Sequence, residues 1–468
     1  MVADRRLRIG YGASFEAAMW SAIWPGVGHL VVHARRNAGW VLAALINLVA
    51  TVVTLKLAWP VRNRAGLVKI LADRQTFAGL GLGLVAMALT RLYCVIDAAW
   101  QARPIVSSGK RVAAGFTTAV FVVAGVVPFA LGADYVRRTD QTIERVFGSG
   151  DATTAGALFE GLGRVNVLLL GGDAGPGRYS LRTDSMIVVS IDPNTGDTAM
   201  ISVPRNTPVL PFPPDTPMGQ LFPHGFEDIA NAVYPYVDAR RELGGGGDDA
   251  AAQVMKQGIA QYLGIPINYY VLVDMAGFVR IVDALGGIDL YVGKRVPGPS
   301  NPLGGPVLAP LYFDVGQQHM NGTIALSYAR SRSADSDYSR IARQRCVLGA
   351  IASAATPMSL ALGLPDLLSA FGDAMRTDIP RDRLSEFATL IERFDSKGGM
   401  STTRTLHLAP PDFDPTAWRK QQVYDLVANV IAPGSVPFVH PDGNAPSPDA
   451  TTPPPVPAVL GVECLASA

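Results

Sequence analysis

VNVLLLGGDAGPGRYSLRTDSMIVVSIDP, Val165 to Pro193, is the stretch on which the fold turns. Val165 to Leu170 is a short, continuously apolar run that reads as a buried strand and ends in Gly171-Gly172-Asp173. Ser185 to Asp192 and Thr198 to Pro204 are two further β-rich runs, separated by PNTG, a hairpin turn. Downstream, Tyr269 to Val273 reads as a central strand. Ala250 to Leu263, Gly277 to Leu285, Ile324 to Ala329 and Ile341 to Ala355 carry apolar residues at helical spacing. Strands and helices mixed in this order predict a layered α/β or α+β domain.

Upstream the character is different. Of 468 residues, 49% are hydrophobic and only 17% charged, too apolar for an ordinary soluble enzyme, and the excess lies at the N-terminal end. Trp40 to Trp59, Phe77 to Trp100 and Val112 to Leu131 are each about 20 apolar residues, the length a helix needs to cross a hydrocarbon core of ~30 Å. Phe15 to His33 is shorter and broken by Pro25, Gly26 and Gly28, and is read as an interfacial helix, with a fourth span as the alternative. Arg5, Arg6, Arg8, Arg35 and Arg36 before the first span, and Arg103, Lys110 and Arg111 before the last, read as cytoplasmic. Three spans then place the rest of the chain outside, although Arg62, Arg64, Lys69 and Arg74 run against that orientation. The organisation expected is a membrane region at 1–134, a linker at 135–160, a soluble domain at 161–435 and a Pro-rich tail at 436–468. Cys94 falls in a span. Cys346 and Cys464 fall on the outer side, where they form either a disulfide tying the tail back or two separate thiols.

The soluble domain contains YARSRSADSDYSRIARQR, Tyr328 to Arg345, with five arginines and two aspartates in 18 residues. Guanidinium forks match phosphate oxygens two at a time, so the run reads either as a phosphate or pyrophosphate clamp or as a solvated helix face. Asp173 ends one strand and Asp184 precedes the next, so both could meet at one edge of the sheet. Together they would suit Mg²⁺; singly, each reads as a turn-capping residue. GGDAGPG, Gly171 to Gly177, lacks the Gly-Lys-Ser/Thr ending of a P-loop and the spacing of a dinucleotide site. A net charge of +1 and arginines interspersed with Asp argue against nucleic acid as a partner.

Four motifs in series, VNVLLLGGDAGPGRYSLRTDSMIVVSIDP, ISVPRNT, INYYVLVDMAGFVRIVDALGGIDL and MNGTIALSYARSRSADSDYSRIARQR, resemble the LytR–CpsA–Psr family of cell-wall glycopolymer ligases over Val165 to Arg345. The resemblance implies an α/β sheet with helices on both faces. It further implies a transferase, a phosphotransferase that takes a glycan from a polyprenyl diphosphate donor, joins it to a peptidoglycan acceptor through a phosphodiester and releases polyprenyl phosphate. By the same resemblance, Asp173 and Asp184 correspond to ligands of Mg²⁺, with Mn²⁺ as a substitute. Arg205, Arg330, Arg332 and Arg340 correspond to a pyrophosphate clamp, and Asp337 and Gln344 to residues that orient it. Arg178 and Arg182, flanking Asp184, are weaker candidates for substrate binding. Asn206 departs from the family, which commonly has Asp there, so Asp184 or Asp337 is expected to activate the acceptor hydroxyl.

A polyprenyl tail needs an apolar tunnel, for which Val271, Val273, Phe278, Ile281, Val282 and Leu285 are candidate lining, plain core being the alternative. Ala, Gly, Val and Arg usage points to a GC-rich actinobacterial genome, and for a member there the family resemblance implies arabinogalactan as the transferred polymer, ahead of teichoic acid or capsule. The competing functional reading is a non-catalytic polyprenyl-phosphate-binding or regulatory membrane protein. The expected location is the cell membrane, multi-pass, with the domain on the extracytoplasmic side.

Overall fold

In a computed structural model of the chain, the described residues are 11–31, 39–101, 108–147, 159, 162–173, 181–303, 311–331, 337–356, 359–360, 367, 375–408, 413–414, 419–432 and 458–459. By its contacts the chain divides into two compact units, Met1–Arg62 with Lys69–Gln141, and Asn63–Val68 with Thr142–Ala468.

The first unit is helical: α1 (Tyr11–Ile23), α2 (Val27–Val31), α3 (Gly39–Ala58), α5 (Arg74–Gln101) and parts of α4 (Arg64–Ala72) and α6 (Ser108–Phe147), both of which are shared with the second unit. The interruption expected at Pro25-Gly26 occurs, with Gly26 in the left-handed region at φ 93°, so neither α1 nor α2 is long enough to span. Among the described residues, three helices are long and apolar enough to cross a membrane: Gly39–Ala58, Arg74–Trp100 and Gly115–Glu144. Their outward residues are apolar, Leu42, Leu55, Leu82, Phe116 and Leu131 among them, whereas polar groups pair inside. Asn47 Nδ2 on α3 donates to Thr90 Oγ1 on α5 at 2.9 Å, and His29 lies 2.8 Å from Asp97. Polar groups turned inward, off the apolar surface, are what helices surrounded by lipid require.

The second unit is built on a seven-stranded mixed sheet. Its strands in chain order are β1 (Val165–Gly172), β2 (Thr183–Ile191), β3 (Thr198–Ser202), β6 (Tyr269–Asp274), β11 (Met375–Thr377), β12 (Arg404–His407) and β13 (Ala458–Val459). They lie in the order β11-β6-β1-β2-β3-β12-β13. Shorter ladders join β4 (Pro208–Leu210) to β5 (Phe226–Ile229), β7 (Ile288–Val292) to β10 (Gly316–Met320), and β8 (Val296–Gly298) to β9 (Leu311–Phe313). The three apolar runs form β1, β2 and β3 as an antiparallel meander, with Asp192–Asp197 as the turn expected at PNTG. The edge strand β13 comes from the C-terminal tail.

Side chains alternate along each strand, so the sheet covers two cores. On one face Leu168, Leu170, Met186, Val188 and Ile201 pack beneath α8 (Val233–Asp238), α9 (Ala250–Leu263) and the helix Lys420–Ile431. On the other, Val165 and Val167 meet Leu390 of the helix Leu384–Ser396, and Ile187 and Met200 meet Leu348 of α12 (Asp337–Ala354). The expected fold class, an α/β sheet with helices on both faces, is therefore observed. A separate cluster joins α10 (Met275–Ala284), α11 (Gly322–Arg330), α12 and the β7–β10 ladder. Leu168, fully buried on β1, an interior strand of the sheet, should cost about 2–5 kcal/mol when replaced by Ala. A lowered melting temperature of the Leu168→Ala protein, with the strand content of its circular dichroism retained below the transition, is the expected result.

Candidate functional site

Strand direction brings the site together. β1 runs parallel to β6 and antiparallel to β2, so the C-terminal end of β1, the start of β2, the end of β3 and the end of β6 share one edge of the domain. The ladder is irregular between Gly171 and Gly172, where the chain leaves the sheet towards Asp173. A Cβ on Gly171 would come within 2.9 Å of Ser185 Cβ, so the close approach of the two strands here requires glycine. The Arg182 carbonyl accepts from the backbone N–H of Asp173 at 2.7 Å and of Asp184 at 3.1 Å, which holds both aspartates at the strand ends.

Asp184 is the hub. Its Oδ1 accepts from Arg205 Nη1 at 3.1 Å and from Asn231 Nδ2 at 2.9 Å. Asn231 is tied to the same arginine a second time, since its backbone N–H donates to the Arg205 carbonyl at 3.0 Å. Burial pushes the Asp184 carboxyl up, but the Asn231 amide, Arg205 and the nearby Arg340 together outweigh it and hold the group below the usual carboxylate range. Asp173 lies 3.8 Å from Arg330, the last residue of α11, whose guanidinium also donates to the Pro302 carbonyl.

These residues line a cavity of roughly 920 Å³ between the sheet and the helices α10, α11 and α12. Asp173, Arg182, Asp184, Arg205, Arg330, Arg340 and Gln344 are all on its wall, as are Val271, Val273, Phe278 and Ile281. Leu169 pairs with Val271 and Gly171 with Val273, which puts both valines on the cavity side of the sheet. Val282 and Leu285 are not among the described lining residues. Successive helix residues point about 100° apart, so with Ile281 on the wall Val282 turns away, into the core with Ile288 and Met320. Leu285 follows the last turn of α10 as its C-cap and is buried. Arg178 and Arg332 lie outside the described residues, and so does the side chain of Asp337, which begins α12. Asn206 is exposed and is not among the described residues on the wall.

Arg343 and Arg345 do not form the solvated helix face that was one alternative for the arginine run, because both are buried. Arg343 donates to the Ser331 carbonyl at 2.7 Å, and Arg345, 1% exposed, donates to Ser202 Oγ on β3 at 2.9 Å. Cys346, the next residue, is disulfide-bonded, Cys94 is a buried free thiol, and Cys464 lies outside the described residues. Among the described residues no group of three or more His, Cys, Asp or Glu could hold a metal ion.

Other wall residues were not anticipated. Asn231 sits in a run of small and apolar residues with no motif around it, and only the folded chain brings it to Asp184. Val347, Leu348 and Ile351 carry a helical stripe on from Gln344 and could have been found by spacing alone.

The LytR_cpsA_psr family model matches residues 137–407, more than half of the chain. The chain belongs to the LytR–CpsA–Psr family. Similar curated proteins include the polyisoprenyl-teichoic acid–peptidoglycan teichoic acid transferase TagU of Bacillus cereus, 30% identical over 222 residues, which are 47% of this chain and 62% of that protein. TagU of Oceanobacillus iheyensis is 32% identical over 236 residues, 50% of this chain and 64% of that protein. The chain thus spans less than two thirds of the length of these relatives. Among solved structures, TagV of B. subtilis is 27% identical with a TM-score of 0.41, covering 57% of this chain and 97% of that one.

His407, paired in register with Ser202, yields a pH prediction for the family domain. Burial, reinforced by Arg345, pushes its imidazole down from 6.5 to about 3, so the folded domain keeps it neutral while the unfolded chain protonates it. Stability is therefore present above about pH 6.5 and is lost as the pH falls towards about 3. Melting temperatures across this range should fall less steeply for His407→Gln than for the wild type.

Proposed function

We propose that this protein is a membrane-anchored phosphotransferase that moves a glycopolymer from a polyprenyl diphosphate carrier to peptidoglycan. The observation that carries the reading is one cavity with two chemical halves. Arg182, Arg205, Arg330 and Arg340 stand with Asp173 and Asp184 at the strand ends, while Val271, Val273, Phe278, Val347 and Ile351 make an apolar wall. A polyprenyl diphosphate divides in the same way, into a multiply charged head and a hydrocarbon tail.

In this reading the acceptor hydroxyl oxygen bonds to the phosphorus nearer the glycan. The bond from that phosphorus to the bridging oxygen breaks, and polyprenyl phosphate leaves with the electron pair. The hydroxyl proton passes to a base, for which Asp337 is preferred, because the depressed pKa of Asp184 makes it a weak proton acceptor. The arginines stabilise charge on the transferring phosphate, the main requirement of phosphoryl transfer. Asp173 and Asp184 are assigned to Mg²⁺, with Mn²⁺ as a substitute. Two carboxylates completed by water and phosphate oxygens suit that ion, and a cluster of three or more protein ligands is not required. When bound, the ion neutralises phosphate charge.

The three apolar helices and the Lys/Arg distribution favour a multi-pass anchor with the domain on the extracytoplasmic side. Arabinogalactan is the proposed polymer, from what the family resemblance implies for an actinobacterial member. Teichoic acid, named for the TagU relatives, is the alternative.

The test uses the full-length protein in detergent with peptidoglycan and polyprenyl-diphosphate-linked donors of both polymers, with and without Mg²⁺. Metal-dependent release of polyprenyl phosphate together with a phosphodiester product is expected. Arg340→Ala should lower kcat by about 10²–10³. Lipid retention without turnover of any donor would instead establish a binding protein.

A further inference from the structure

The Asn231 side chain has two ends, and the proposed reaction uses neither. Nδ2 donates to Asp184 Oδ1 at 2.9 Å. An ionised carboxylate offers only acceptors, so the amide cannot be reversed, and Oδ1 has to face away from Asp184. That oxygen is buried and, among the described residues, accepts no hydrogen bond, in a residue that is 2% exposed and lies on the wall of the cavity. Burying an amide oxygen with nothing donating to it is costly. The rest of the residue is firmly held: its backbone N–H donates to the Arg205 carbonyl, and the neighbouring Ala230 N–H donates to the Thr207 carbonyl at 2.9 Å.

We propose that Asn231 is a positioning residue, which fixes Asp184 through Nδ2 and, when the site is filled, accepts through Oδ1 from an O–H donor bound in the cavity. The inference rests on the phosphotransferase reading. Two sources of such a donor exist there: a water on the divalent ion held by Asp184, or a hydroxyl of the acceptor beside the one that attacks. The guanidinium groups of the cavity carry N–H donors alone, so Asn231 adds a neutral acceptor beside the carboxylates of Asp173 and Asp184. Gln344 offers the same chemistry across the cavity, its Oε1 also buried without a donor among the described residues.

The experiment uses full-length wild type, Asn231→Ala and Asn231→Ser in detergent, the serine keeping a hydroxyl that can donate to Asp184. Binding of Mn²⁺ alone is followed by its paramagnetic resonance, and turnover by initial rates against peptidoglycan. If the donor is metal-bound water, Asn231→Ala weakens Mn²⁺ binding about 10–100-fold without any substrate present, the usual cost of removing a partner behind a metal ligand, and Asn231→Ser recovers part of it. If the donor is the acceptor's hydroxyl, the KM for peptidoglycan rises about tenfold in both variants, including Asn231→Ser, whose hydroxyl keeps the bond to Asp184 and with it most of the Mn²⁺ affinity. Unchanged Mn²⁺ affinity, KM and kcat in both variants would overturn the proposal. So would a structure of the wild-type protein with Mn²⁺ and donor lipid in which no O–H group approaches Oδ1, a result that needs no variant to fold. Failure of the wild type itself to bind Mn²⁺ or turn over any donor would instead strike the phosphotransferase reading, and this proposal with it.

Discussion

An ionised carboxylate kept at the end of a buried sheet is the constraint from which the site follows. Removing Asp184 from water disfavours its charge, and that cost is met only because Asn231, Arg205 and Arg340 converge on it. Each partner arrives on a different element: Asn231 on a single turn after β5, Arg205 just beyond β3, and Arg340 on the first turn of α12. The carboxylate therefore couples the meander to the helical layer. In the absence of any of these elements its charge would stand in a half-buried position with fewer groups to meet it.

The same economy explains the arginine run, whose members share a composition but not a role. Arg340 and Gln344 are four residues apart and fall on one face of α12, the face that borders the cavity. Arg343 and Arg345 are out of phase with them. They are spent on the fold, Arg343 holding the Ser331 carbonyl where the chain leaves α11, and Arg345 reaching under the sheet to Ser202. A high local density of arginine marks the region of the site, and helical phase decides which arginines belong to it.

How much was legible in the sequence follows from how local each signal is. β1, β2, β3 and β6 were readable because an apolar run or an alternation is a property of consecutive residues, and α9 was readable to its ends for the same reason. The meeting of Asp173 with Asp184 was also readable, since a meander returns the chain to the edge it left. Asn231 was not, because its partner is 47 residues away and its own neighbours carry no pattern. Val282 was misplaced, since an apolar list drawn from one helix cannot separate wall from core until the helix is oriented against its neighbours. The β13 strand was hidden for another reason: two residues beyond a Pro-rich tract carry too little pattern to announce pairing with β12.

Arg345 shows why such structural side chains matter to the chemistry without touching it. Its bond to Ser202 fastens α12 to the last residue of β3, and Arg205 follows three residues later. The strand that delivers one cavity arginine is thus pinned to the helix that delivers another. Burial draws the Arg345 guanidinium down to about 10, still charged at neutral pH, so the fold carries the cost of a buried cation at this junction. Catalysis by charge neutralisation depends on donors that are already in place when charge develops, because reorganising them would consume the stabilisation they provide. A rigid link between β3 and α12, a few residues behind the cavity wall, meets that requirement where a flexible pair of arginines would not.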